Sequence, residues 1–221
     1  MPPHKICQSE NPRWRTPSWL RDAVRAEFPI VVDMAADIEP GCPLTREWVG
    51  PGSELLEDAL CGVAWADIAI EVMGSILHPA IWCNPPYAKG NAKLGKPDFP
   101  IAPWVKLGAE AGQRVRVVML LPHAHQTLWW ADYVESPDPL LRAAEVRPFP
   151  FRLAFDPPPD YVGVPTGSNV NHALVIWSPH TRHFREPWAP ARFPYDPRTP
   201  ALSGRRRSHQ TRPPRGRPVA D

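Results

Sequence analysis

The stretch that decides the fold is Ala80-Ile81-Trp82-Cys83 running directly into Asn84-Pro85-Pro86-Tyr87. The first four residues form a short apolar strand, and the next four form a loop in which two prolines stiffen the backbone and remove its amide donors. A buried strand that ends in a rigid polar loop is where an open α/β sheet places its ligand crevice.

Working outward, strands and helices alternate. Upstream, Thr16-Pro17 has the chemistry of an N-cap followed by a first helical proline. Leu20, Val24 and Phe28 then recur at four-residue spacing, the mark of one apolar helix face. Pro29 stops that helix, and Ile30-Val31-Val32 reads as a buried strand ending at Asp33. A helix is expected from Ser53 through Leu55, Leu56 and Leu60, and the alternation of Ile68, Ile70 and Val72 predicts a strand. Downstream, helices are expected over 103–111 and 126–134, with the strongest strand over 115–121. Two late strands, 146–155 and 172–177, close the series. The expected fold is therefore α/β, with a mixed sheet ending in an antiparallel hairpin.

Composition bounds the rest. The 221 residues are 43% hydrophobic, enough for one substantial α/β domain. No apolar run is long enough to span a bilayer, and the first twenty residues lack the apolar centre of a secretory signal. Cys7, Cys42, Cys61 and Cys83 are scattered and form no Cys-x-x-Cys pair, which argues against a zinc ribbon or a disulfide framework. The reading is a soluble, cytoplasmic protein without a membrane partner. Charge divides the chain: residues 180–221 carry ten arginines against Glu186, Asp196 and Asp221, whereas residues 1–179 carry 15 basic and 20 acidic residues. With its eight prolines, that tail reads as disordered and basic. The expected organisation is a flexible lead over 1–13, a folded domain over 14–179 and the tail over 180–221.

The loop chemistry is specific. The exocyclic amine of adenine is a poor nucleophile because its lone pair is delocalised into the ring. The Asn84 side-chain oxygen and the Pro85 carbonyl can accept both amine hydrogens and favour a pyramidal nitrogen. Pro86 adds stiffness, and Tyr87 offers a ring on which an extruded base can stack, a contact of roughly 1–3 kcal/mol. An ordinary proline-rich turn is the alternative for the tetrapeptide alone.

The order of motifs favours the chemical reading. Trp14-Arg15-Thr16-Pro17, Asp33-Met34-Ala35-Ala36, Asp58-Ala59-Leu60, Trp82 through Tyr87, Leu120-Leu121-Pro122, Arg152 through Phe155 and Gly167-Ser168 occur in sequence. Together they resemble the phage-type DNA N6-adenine methyltransferases, the Dam-like family. The resemblance implies a Rossmann-like class I methyltransferase fold that uses S-adenosylmethionine and acts on DNA, in a protein encoded by a phage or prophage. It implies that Asp33 and the adjoining Ala35 meet the methionine end of the cofactor, with Trp14, Thr16 and Pro17 against it and Asp58 facing its adenosine end. The sequence departs from the family in having no Gly-x-Gly after Asp33 and an extended loop over 88–100.

Lys89, Lys93, Lys96 and Arg152 are candidate DNA contacts, with a merely solvated loop as the alternative for the lysines. His123 and His125 lack partners at metal-ligand spacing, and amine methylation requires no metal. Asp156-Pro157-Pro158-Pro159 mimics the catalytic loop but lacks the ring, so it reads as a rigid connection. Two other functions remain open: methylation of protein glutamine amides, which present the same two hydrogens, and a catalytically silent DNA-binding module. If DNA is the partner and the tail touches it, deleting residues 180–221 lowers the slope of log affinity against log salt by roughly one per lost arginine contact. An unchanged slope in a filter-binding titration assigns docking to other surfaces.

Overall fold

The computed structural model describes residues 14–36, 43–87, 100–157, 161–162 and 167–179. The expected lead and tail, Lys89, Lys93, Lys96, Cys7 and Cys42 lie outside these residues. The elements in chain order are α1 (Ser18–Glu27), β1 (Ile30–Asp33), β2 (Glu47–Trp48), α2 (Trp65–Val72), β3 (Ala80–Cys83), α3 (Ala102–Ala111), β4 (Arg116–Pro122), α4 (Leu128–Tyr133), β5 (Glu145–Pro148) and β6 (His172–Trp177). They build one mixed sheet in the order β2-β1-β3-β4-β6-β5. The first four strands are parallel, and β6 runs antiparallel to both β4 and β5.

Side-chain alternation explains why the central strands are apolar throughout. Ile81, Cys83, Val117, Met119, Leu121, Val175 and Trp177 face one cluster, which α2 and α3 cover with Ile68, Ala69, Val105 and Ala109. Ala80, Trp82, Val118, Leu120, Leu174 and Ile176 face the other, covered by Leu20, Val24 and Phe28 of α1 and the start of its following turn. A sheet with both faces covered has no solvated side, so polar alternation is absent.

Several local expectations are corrected. Helix α1 starts at Ser18 with Pro17 as its N-cap, and Thr16 does not cap it. The first helical amide instead donates to Asp156 Oδ2 at 3.2 Å. No helix starts at Ser53: its hydroxyl donates to the Trp48 carbonyl and accepts from the Leu55 and Leu56 amides, which folds the segment into turns. Residues Ile68 to Val72 belong to α2 and form no strand. Their contact face is Trp65, Ile68 and Ala69 at helical spacing, and Ile70 is 41% exposed. The short strand β2 carried too little apolar pattern to be anticipated. The strand expected over 146–155 is limited to β5, because Pro148 and Pro150 cannot donate to a ladder. The closing strands are antiparallel as expected, and β6 inserts between β4 and β5.

Helix α3 lies close to β6 at Gly112. A β-carbon there would sit 2.2 Å from Trp177 Cβ, in a backbone conformation open to any residue. Trp177 cannot give way easily, since its indole N–H is shared by the carbonyls of Tyr133 and Leu141 at 3.0 and 2.8 Å. Gly112→Ala is therefore expected to destabilise the protein by about 1–3 kcal/mol through overpacking, measured by thermal or urea unfolding.

Candidate active site

Strands β1 and β3 are parallel neighbours whose connections lead away in opposite directions, to β2 on one side and β4 on the other. An open sheet leaves a crevice beyond the carboxyl ends of such strands. A cavity of about 380 Å³ occupies that place, within the usual range for small-molecule sites. Its wall includes Asp33 to Ala36 after β1, Val49 to Pro51 after β2, Glu57 to Ala59, and Trp82, Asn84 and Pro86 from β3 and its loop. Trp14 to Thr16 and Trp104 complete it.

Asn84 is placed by a partner from the opposite end of the sequence. Its Nδ2 donates to Thr16 Oγ1 at 3.1 Å, which leaves the amide oxygen as the acceptor. Thr16 is itself buried. Its position follows from the pairing of Arg15 with Asp156, whose amides and carbonyls exchange two hydrogen bonds of 2.9 Å. Arg15 also donates to the Pro157 carbonyl at 3.1 Å. Asp156 and Pro157 thus fix the entry to α1 and, through Thr16, the asparagine of the loop after β3.

Asp33 is 2% exposed, and its two oxygens accept the amides of Ala35 at 3.1 Å and Leu44 at 2.8 Å. It therefore also holds the turn after β1, the local role of a strand-end acid. Burial raises its pKa to about 7, against the opposing pull of those amides and of Arg21 and Arg25. The β1 and β2 ends approach closely at Gly50, where a β-carbon would meet the Ala36 oxygen at 1.9 Å and φ is +149°. The glycine run Gly50-Pro51-Gly52 was the available signal for this approach.

Among the other candidates, Trp14 and Ala35 line the cavity. Trp14 is buried, its ring edge-on to Tyr161 at 5.0 Å, and its indole N–H has no partner among the described residues. Asp58 lines the cavity while accepting the Leu60 amide at 2.8 Å. Pro17, Pro85 and Tyr87 are not part of the wall. Arg152 is exposed and packs beside Gly167, away from the cavity. Glu57, Gly50 and Trp104 line the cavity without having been anticipated. His123 stays close to its strand end, donating its amide to the Asn171 carbonyl at 2.8 Å. Among the described residues no group of three or more His, Cys, Asp or Glu is arranged to hold a metal, and no helix is long and apolar enough to cross a membrane.

A family model described as DNA N-6-adenine-methyltransferase (Dam) matches residues 4–185. Comparisons with curated proteins and with solved structures gave no match.

The raised pKa of Asp33 has a signed consequence. Its native carboxyl holds a proton that the unfolded chain releases, so its contribution to stability is full below about pH 4 and is lost as pH rises through about 7. Thermal melting of the ligand-free protein is expected to decline more steeply across that window in the wild type than in Asp33→Asn. Parallel profiles would contradict the assignment.

Proposed function

The chain belongs to the DNA N-6-adenine-methyltransferase (Dam) family, and from that premise we propose that it methylates the N6 amine of an extruded adenine, with S-adenosylmethionine in the cavity between β1 and β3. The observation that carries this reading is the Asn84 amide, fixed by Thr16 on the wall of the same cavity that Asp33 enters. The sheet order supports a Rossmann-like class I fold, with residues 14–179 as its methyltransferase domain.

The cavity fits the cofactor on three counts. Asp33 is a buried acid suited to an ammonium group, and a cation beside it draws its carboxyl back towards the ionised form. The Trp14 indole N–H, without a partner among the described residues, offers a donor on the cavity wall. Glu57 and Asp58 provide acceptors for ribose hydroxyls. When bound, the cofactor supplies an electrophilic methyl group on a sulfonium.

The chain's own residues do the rest. Asn84 Oδ1 and the Pro85 carbonyl accept the two amine hydrogens and direct the nitrogen lone pair towards the cavity. Thr16 prevents the amide from presenting its donor instead. Tyr87 stacks on the base, which has to leave the duplex because pairing occupies the same amine. A strong general base is unnecessary, since the amine proton becomes acidic only after transfer. Lys89, Lys93, Lys96 and Arg152 supply candidate phosphate contacts.

The test is to incubate the full chain with duplex DNA and methyl-labelled cofactor, then digest the DNA to nucleosides. Label is expected in N6-methyladenine; label in cytosine, or in protein alone, refutes the reading. Asn84→Ala is expected to lower kcat by roughly 10²–10³-fold. Cofactor affinity in calorimetry should fall far less than kcat, because Asp33, the partner of the ammonium group, lies on another strand.

A further inference from the structure

Tyr87 closes the catalytic loop, and its hydroxyl shares a hydrogen bond with Nε2 of His172. His172 is wholly buried at the first position of β6 and pairs with Pro122 at the end of β4. Because β6 runs against the parallel strands, it begins at the edge where they end. That reversal brings a β6 side chain to the mouth of the site. The Tyr87 and His172 rings lie 6.0 Å apart and are tilted by 48°, and Phe155 meets the imidazole edge-on at 5.1 Å. The imidazole is thus packed in place before it meets the phenol. Burial lowers its pKa to about 4, opposed by the Val170 backbone, so the ring is neutral near pH 7.

We infer that His172 is the positioning residue for Tyr87, holding the phenol hydroxyl so that the ring presents one fixed surface to the extruded base. The inference rests on the proposed role of residues 84–87 and goes beyond it by assigning the tether. A tyrosine hydroxyl lies on the long axis of its ring. Fixing it therefore holds that axis at both ends, at the backbone and at the oxygen, and an O–H that prefers the ring plane also limits rotation about it. The loop is then pinned twice: at Asn84 by Thr16, and at Tyr87 by His172. A pre-oriented stacking surface needs no ordering when the base arrives, so the gain falls on the reacting complex. His172 itself touches neither the base nor the reacting atoms in this scheme.

The test uses the full chain as wild type, Tyr87→Phe, His172→Phe, His172→Gln and the Tyr87→Phe/His172→Phe double variant. Each Phe variant is expected to lower kcat for DNA methylation about three- to tenfold, the loss of one hydrogen bond, with cofactor Kd unchanged within about twofold. The double variant should be no slower than Tyr87→Phe, and His172→Gln should recover part of the rate because it retains a polar partner. Losses that multiply in the double variant, or a His172→Phe defect confined to cofactor binding, would overturn the tether. Melting temperatures of the same proteins give a second cycle that needs no activity. A coupled pair gives losses smaller than their sum, and additive losses overturn the inference. If the wild type transfers no methyl to adenine, the reading of residues 84–87 fails, while the melting cycle still decides whether His172 holds Tyr87.

Discussion

Strand β3 is held between parallel neighbours β1 and β4 and buried on both faces, and the rest of the site depends on that confinement. Its four residues alternate between the two apolar clusters, so the strand cannot shift register by one residue without exchanging Trp82 and Ile81 between unlike surroundings. With register fixed, Asn84 leaves the sheet at one place only. Pro85 and Pro86 then restrict the backbone just where a flexible loop would blur the position of the acceptors. A packed core thus transmits its rigidity directly to a polar side chain.

The polar residues of this edge hold one another. Asp156 serves the first amide of α1 and pairs its backbone with Arg15; Thr16, carried by that pairing, orients Asn84. These links join residues more than sixty positions apart, and they converge on the cavity. Asp33 shows the opposing requirement. Its burial is unfavourable for a carboxylate, yet its two amide partners make it the organiser of the turn after β1. An acid kept dry in this way keeps its proton up to about pH 7, and ionising it costs the free protein stability.

Much of this was legible in the residues. The strand at 80–83, the acid at 33, the order of apolar segments and the tetrapeptide at 84–87 each combine a short apolar run with a residue that forbids its continuation. Other features were less accessible. The segment Ile68 to Val72 satisfied a strand pattern over three positions, and only its packing against β1 and α3 shows that it uses helical spacing. Ser53 looked like a helix start because serine caps helices, but the same hydroxyl also closes turns. Thr16 had cap chemistry as well, and a competing partner on β3's loop claimed it.

The sequence by itself determined the class of fold, the sheet-end acid and the candidate acceptor loop, because periodicity, proline placement and motif order are local properties of the chain. The tertiary structure decided which of those residues share a cavity. It placed Gly50 against Ala36, brought Glu57 and Trp104 to the wall, and gave Asn84 its partner in Thr16. It also placed His172 beside Tyr87, which no spacing rule expresses, since the contact exists only because β6 inserts antiparallel next to β4. Strand order is fixed by which apolar surfaces bury one another across the whole chain, and a linear reading of neighbours does not contain that information.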